Sequence, residues 1–208
     1  MSFASYMNME KLSLDIAEKH IRQMTNKNYD EEGFLTDISG LTNNIENGFV
    51  AITQLVCFFE SFLNTILNTC MDYQGETLLK CSAEEKLEII FMHYQKDLKI
   101  VRGQNPWEIY RTTTKVRNAM IHYKKTFLGE GIAIPDFQLG KQEVGKFFTK
   151  DNMESVWKGY IELAALIADT LGLSIYHEIG IFECDGRDAL VNYVYDSSKV
   201  HPDPSRFL

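Results

Sequence analysis

Apolar residues return at intervals of three and four along most of this chain, the period of α-helices that each bury one face. A first helix is expected over about 4–24 and a second over about 42–71. The second is apolar on most sides, which places it at the centre of the fold. Between them, "TNKNYDEEGFLTDISG" is polar, contains glycine and breaks the helical period. Ser82, with Glu85 three residues on, reads as a capping box. The hydroxyl meets an orphan amide and the carboxylate reaches back. Asn105, Pro106 and Glu108 open a further helix expected to end near Gly129, with Asn105 as its cap. A last helix is expected over about Asp151 to Leu171. Beyond it, β-rich runs flank Asp185-Gly186, a hairpin-turn pair, although the second run also suits a short helix. These elements predict an all-α bundle with a small C-terminal β-hairpin or mixed extension. The expected division is 1–41 (helix and loop), 42–172 (bundle) and 173–208 (extension).

Composition narrows the class. Of the 208 residues, 45% are hydrophobic, enough for a full core in one sizeable domain. Cys57, Cys70, Cys81 and Cys184 form no C-x-x-C pair, so neither a zinc knuckle nor a redox motif is supported, and a reduced, cytoplasmic setting is expected. "FVAITQLVCFFESFLNTIL" is the most apolar stretch. Gln54, Glu60 and Asn64 interrupt it, so it reads as a buried helix rather than a membrane span. The N-terminus lacks the apolar core of a signal peptide.

A net charge of −8 argues against a broad nucleic-acid surface, so any such site must be local. Residues 109–129 form such a locality, with Arg111, Lys115, Arg117, Lys124 and Lys125 and no acid. The bland reading of such a run is a solvated helix face. On an ideal helix, Ile109, Thr113, Val116, Met120, Tyr123 and Phe127 form the core stripe. Arg111, Thr114, Asn118, His122 and Lys125 fall opposite, and Arg117 sits on the shoulder. Asn118 and His122 are then i, i+4 neighbours that can act on one ligand. Imidazole, with an ordinary pKa of about 6.5, can take or return a proton near neutrality. Guanidinium suits phosphate, and the Asn118 amide can orient either group. No metal-ligand pattern is present, and no cofactor loop: His177-Glu178 lacks a second histidine, and "GEGIAI" lacks a third glycine. His20, His93 and His201 carry no pattern. Trp107 and Trp157 read as core.

Arg117-Asn118-x-x-x-His122 resembles the R-x(4–6)-H motif of HEPN domains. "FFESFLNTIL" (58–67) and "SAEEKLEII" (82–90) resemble successive segments of prokaryotic members, in the same order and spacing. The resemblance covers about 42–171. It implies a metal-independent endoribonuclease, often of toxin–antitoxin or phage-defence systems, whose active site forms between two motif copies in a homodimer. Carried over, His122 is the general acid/base, Arg117 the phosphate stabiliser and Asn118 the orienting residue. Arg111, Lys115, Lys124 and Lys125 are expected to contact RNA, with an antitoxin or other regulatory protein as a second partner. Tyr123 follows His122 directly, which departs from the RxxxxHxY variant. Glu60, inside an apolar helix, has two readings: a buried partner that Arg117 satisfies, or a support that aims Arg117 at phosphate. Asn64 and Asn68 continue its stripe and are expected to serve helix packing. A non-catalytic HEPN module that binds a nucleotide or protein partner as a scaffold fits the acidic charge as well. So does a structural motif with His122 hydrogen-bonded in a dimer seam.

Overall fold

The computed structural model describes residues 9–28, 36–71, 78, 80–121, 138–139 and 142–173. Helix α1 (Met9–Arg22) is followed by α2 (Ile38–Thr65), which runs on into a π-helical turn (Ile66–Cys70). Then come α3 (Ala83–His93), the single turn α4 (Lys99–Arg102) and α5 (Asn105–Ile121). A two-residue antiparallel ladder, β1 (Gln138–Leu139) with β2 (Gln142–Glu143), leads into the turn α6 (Val144–Phe147) and the long α7 (Lys150–Leu171). The class is all-α, as the helical period implies. The expected end of α5 near Gly129 and the hairpin around Asp185-Gly186 lie outside the described residues.

Local chemistry sets most boundaries. At the start of α3, the Glu85 amide donates to Ser82 Oγ at 3.3 Å and the Ser82 amide donates to Glu85 Oε2 at 2.7 Å, both arms of a capping box. The Ser82 bonds also hold the Glu85 carboxyl below its ordinary pKa. Helix α2 begins four residues earlier than its hydrophobic pattern suggests, because Asp37 Oδ1 accepts the Gly40 amide at 2.8 Å and caps a polar first turn. Asn105 is the first helical residue of α5 rather than its cap, with Pro106 next in the first turn. Helix α7 stops where Gly172 turns left-handed (φ 68°), with the Leu173 amide closing back on Ala168 O at 2.9 Å.

One continuous core joins α1, α2, α3, α5 and α7. Phe58, Phe59, Phe62 and Leu63 of α2 are fully covered or nearly so, and Trp107 and Trp157 are buried as expected. Helix α2 is long and apolar enough to cross a membrane by length and composition, yet Phe58, Phe59 and Phe62 are covered by the protein's own helices. Helix α1 contributes Leu14, Ala17 and Ile21 to this same core. It runs antiparallel to α2: Thr65 Oγ1 donates to Glu10 Oε1 at 2.5 Å near one end, and His20 Nδ1 meets Asn47 Oδ1 at 2.7 Å near the other. Asn44, fully buried, closes the hairpin by accepting from the Thr25 amide (2.9 Å) and donating to its carbonyl (2.7 Å).

Gly48 marks a close approach to α2. A Cβ there would stand 2.8 Å from Cε1 and 2.9 Å from Cγ of the fully buried Phe148. Elsewhere in a helix, Gly→Ala gains about 1 kcal/mol. Overpacking a fixed ring costs about 1–3 kcal/mol. Gly48→Ala is therefore expected to lower stability by up to about 2 kcal/mol in urea unfolding, since the packing cost offsets or exceeds the propensity gain. A gain in stability would show that the ring has room to yield.

Candidate functional site

The C-terminal half of α5 carries the described part of the motif. Its buried arc consists of Trp107, Tyr110, Thr113 and Val116, with Ile109 and Met120 only half-buried. This differs from the ideal-helix stripe. The two large aromatics take the core contact, which rotates the arc and draws Thr114 and Arg117 to its edge. Thr114, expected on the polar side, has its hydroxyl oxygen fully buried.

Arg117 is half-buried. Its Nη1 donates to Oδ1 of the exposed Asn118 at 2.8 Å, while its Nε is buried and meets no acceptor among the described residues. Behind the guanidinium, Tyr110 lies 4.7 Å from Phe59 of α2 and 6.0 Å from Tyr160 of α7, ring centre to ring centre. The Tyr160 hydroxyl and Thr114 Oγ1 are both buried without a partner of hydrogen-bond geometry. Arg117 Nε, Thr114 Oγ1 and the Tyr160 hydroxyl are thus three buried polar atoms on α5 and α7.

Electrostatics reflects this placement. Burial pushes the Tyr110 phenol up to about 12, opposed by the nearby Thr114 hydroxyl and by Arg117 and reinforced by Glu84 and Glu60. Burial raises Tyr160 further, again opposed by Thr114 and Arg117. These folded pKa values exceed the unfolded one, so the stability that both phenols support is intact below about pH 10 and declines as pH rises toward the folded values. Alkaline titration should therefore show these two phenolates absorbing only together with loss of the near-ultraviolet circular dichroism. Ionisation of every tyrosine at pH 10 in the folded protein would contradict that.

Glu60 is exposed, which corrects its reading as a buried carboxylate. With Cys57, Asn64 and Asn68 it lies on the stripe of α2 turned away from Phe58, Phe59 and Phe62, so it keeps its water and needs no partner. It still shares a neighbourhood with Arg117: Glu60 raises and Arg117 lowers the pKa of both Cys57 and Tyr110. No direct ion pair joins them among the described residues. Burial remains the first cause of the raised Cys57 thiol. Asn64, assigned to packing, leaves Oδ1 buried and unpartnered.

Lys115 and Arg111 are exposed on the far side of α5. Arg111 reaches back to Glu108 at 3.2 Å, just before the acid-free segment. Both groups are well solvated, so this pair holds the guanidinium only weakly. His122, Lys124 and Lys125 lie outside the described residues. Among the described residues no group of three or more His, Cys, Asp or Glu could hold a metal ion. His93 is exposed at the end of α3, with its ring edge-on to Tyr94. Tyr110 and Tyr160 were not singled out from sequence. The available signal was Tyr110, Thr114 and Arg117 at i, i+4, i+7, one helix face. No protein-family model, no curated protein and no solved structure matches this chain.

Proposed function

We propose that this chain is a metal-independent endoribonuclease built on a HEPN-like bundle and acting as a homodimer. The observation that carries this reading is Arg117. A guanidinium is held at a helix surface by the exposed Asn118, with no carboxylate hydrogen-bonded to it among the described residues and His122 five residues later in sequence. In the proposed reaction, one His122 imidazole takes the proton of the ribose 2′-hydroxyl as its oxygen attacks phosphorus. The bond to the 5′-oxygen breaks, and an imidazolium, from the second copy of the motif, returns a proton to that leaving oxygen. Arg117 binds the phosphorane charge and Asn118 orients Arg117. Lys115 and Arg111 extend the contact along the RNA backbone, with Lys124 and Lys125 as further contacts. The products are a 2′,3′-cyclic phosphate and a 5′-hydroxyl. A cytoplasmic toxin–antitoxin or phage-defence role, restrained by a regulatory protein, suits such chemistry.

The test is incubation of the purified protein with mixed RNA in EDTA, followed by analysis of the new termini. Cyclic phosphates on one side of each cut are expected; products bearing a 3′-hydroxyl and 5′-phosphate would overturn the mechanism. The net charge of −8 favours a second reading, a non-catalytic module that binds a nucleotide or protein partner as a scaffold. No cutting, together with a stoichiometric partner on purification, would favour that reading.

A further inference from the structure

The corner between α3 and α4 carries apolar side chains that the core does not use. Met92 is 74% exposed and Ile100 is 50% exposed. Exposure this high means that each side chain stands out from the surface rather than lining a groove. The backbone beneath them is fixed. The Gln95 amide donates to Met92 O at 3.1 Å and the Lys96 amide to Phe91 O at 3.0 Å, which turns the chain back at the end of α3 with Gln95 left-handed (φ 53°). The Ile100 amide then donates to Asp97 O at 3.2 Å, and Arg102 Nη2 donates to Glu88 Oε1 at 2.6 Å, which ties α4 to α3. Phe91 and Val101, both buried, anchor the two sides. Met92 and Ile100 therefore stand on one short, ordered corner.

The charge beside them identifies the partner. Lys96 and Lys99 are exposed, and neither joins an ion pair among the described residues. Glu88 is neutralised by Arg102, and Asp97 Oδ1 accepts the Lys99 amide at 2.9 Å. Two free ammonium groups thus face one engaged carboxylate, so the corner is positive on a chain of net charge −8. RNA would use the lysines and leave Met92 and Ile100 in water. A protein groove would have to enclose a corner that protrudes. A lipid surface takes both features: Met92 and Ile100 enter the boundary of the acyl region, and the lysine stems lie beside them with their ammonium groups at the headgroups. The cytoplasmic leaflet is anionic, and its field decays within a Debye length of about 8 Å, so acids elsewhere on the chain oppose it little.

We propose that the α3–α4 corner docks on an anionic membrane surface, with Met92 and Ile100 inserted and Lys96 and Lys99 against lipid phosphates. Two apolar tips and two lysines give weak, reversible attachment, with an association constant on the order of 10³ M⁻¹ of lipid, below that of a single acyl chain. Helix α2 keeps its aromatic face in the core and takes no part. The docking residues are separate from Arg117 and Asn118, and the proposal stands apart from the RNA chemistry.

The test is sedimentation of the full chain with vesicles of phosphatidylcholine, alone or with about one-third phosphatidylglycerol. Binding to the anionic vesicles is expected to be half-maximal on the order of 1 mM lipid, and pure phosphatidylcholine to bind at least about fivefold more weakly. Added salt should weaken only the anionic case. Lys96→Glu combined with Lys99→Glu is expected to abolish the preference for anionic vesicles. Met92→Trp places a reporter at the corner, because Trp107 and Trp157 are buried, and its emission is expected to shift to the blue on anionic vesicles. Lys115→Glu, on α5, should leave vesicle binding unchanged. No sedimentation up to about 10 mM lipid overturns the proposal, as does binding that Lys115→Glu removes and the double lysine substitution does not. A Met92→Trp emission that responds to RNA or to an acidic peptide, and not to vesicles, assigns the corner to that partner and overturns it equally. None of these readouts depends on RNA cleavage, so failure here is distinct from failure of the nuclease reading.

Discussion

Replacing Arg117 by methionine is expected to lower RNA cleavage by about 10²–10³-fold while raising unfolding free energy by about 1–2 kcal/mol. The two effects have one origin. The aliphatic stem of Arg117 packs at the edge of the core, and methionine can follow that path. The Nε–H is buried with no acceptor, so removing it relieves an unpaid desolvation cost. What is lost is the bond from Nη1 to the exposed Asn118, worth little in water, and the positive charge intended for phosphate. Arg117→Met thus separates a residue kept for chemistry from one kept for packing. Urea unfolding and a cleavage assay on the same preparation suffice. Loss of stability by 1 kcal/mol or more, a threshold of about twice the spread usual for surface changes, would make Arg117 a structural strut. Undiminished cleavage would remove its phosphate role. His122→Ala belongs in the same series: a positioned acid/base contributes about 10²–10⁴-fold, and helicity and dimerisation should be unchanged.

Phe59→Ala is expected to cost about 3–5 kcal/mol, a large part of the 5–15 kcal/mol typical of a domain. Phe59 is fully buried and stands where three helices meet. Its ring lies 6.3 Å from Phe62, 4.7 Å from Tyr110 and 6.4 Å from Tyr160. Truncation removes the surface that seats Tyr110 of α5, and the surrounding rings cannot close the gap without moving. Phe59→Leu conserves more volume and should cost well under half as much. Equal midpoints in urea for Phe59→Ala and the parent protein would show that the three helices do not converge on this ring. Because α5 carries Arg117 two turns along the same face from Tyr110, cleavage by Phe59→Ala should fall with the folded fraction and recover below its midpoint.

The helical class, the capping box at Ser82, the end of α7 at Leu171 and the burial of both tryptophans were legible because each depends on near neighbours in sequence. Period and cap chemistry act over about one turn. The face of α5 was legible only in part. Residue spacing orders positions around a helix, but which arc faces inward depends on where Phe59 and Tyr160 wait for Tyr110. A rotation of part of a turn was enough to carry Thr114 and Arg117 to the core edge.

Sequence by itself determined that this is a helical protein, where its central helix lies, and that Arg117, Asn118 and His122 fall within one acid-free stretch. The tertiary structure alone decided which polar groups lost their water. Glu60 kept it, on the outer stripe of α2, whereas Arg117 Nε, Thr114 Oγ1, the Tyr160 hydroxyl and the Asn28 amide did not. Solvation depends on what packs over a group from distant parts of the chain, and local spacing carries no record of that.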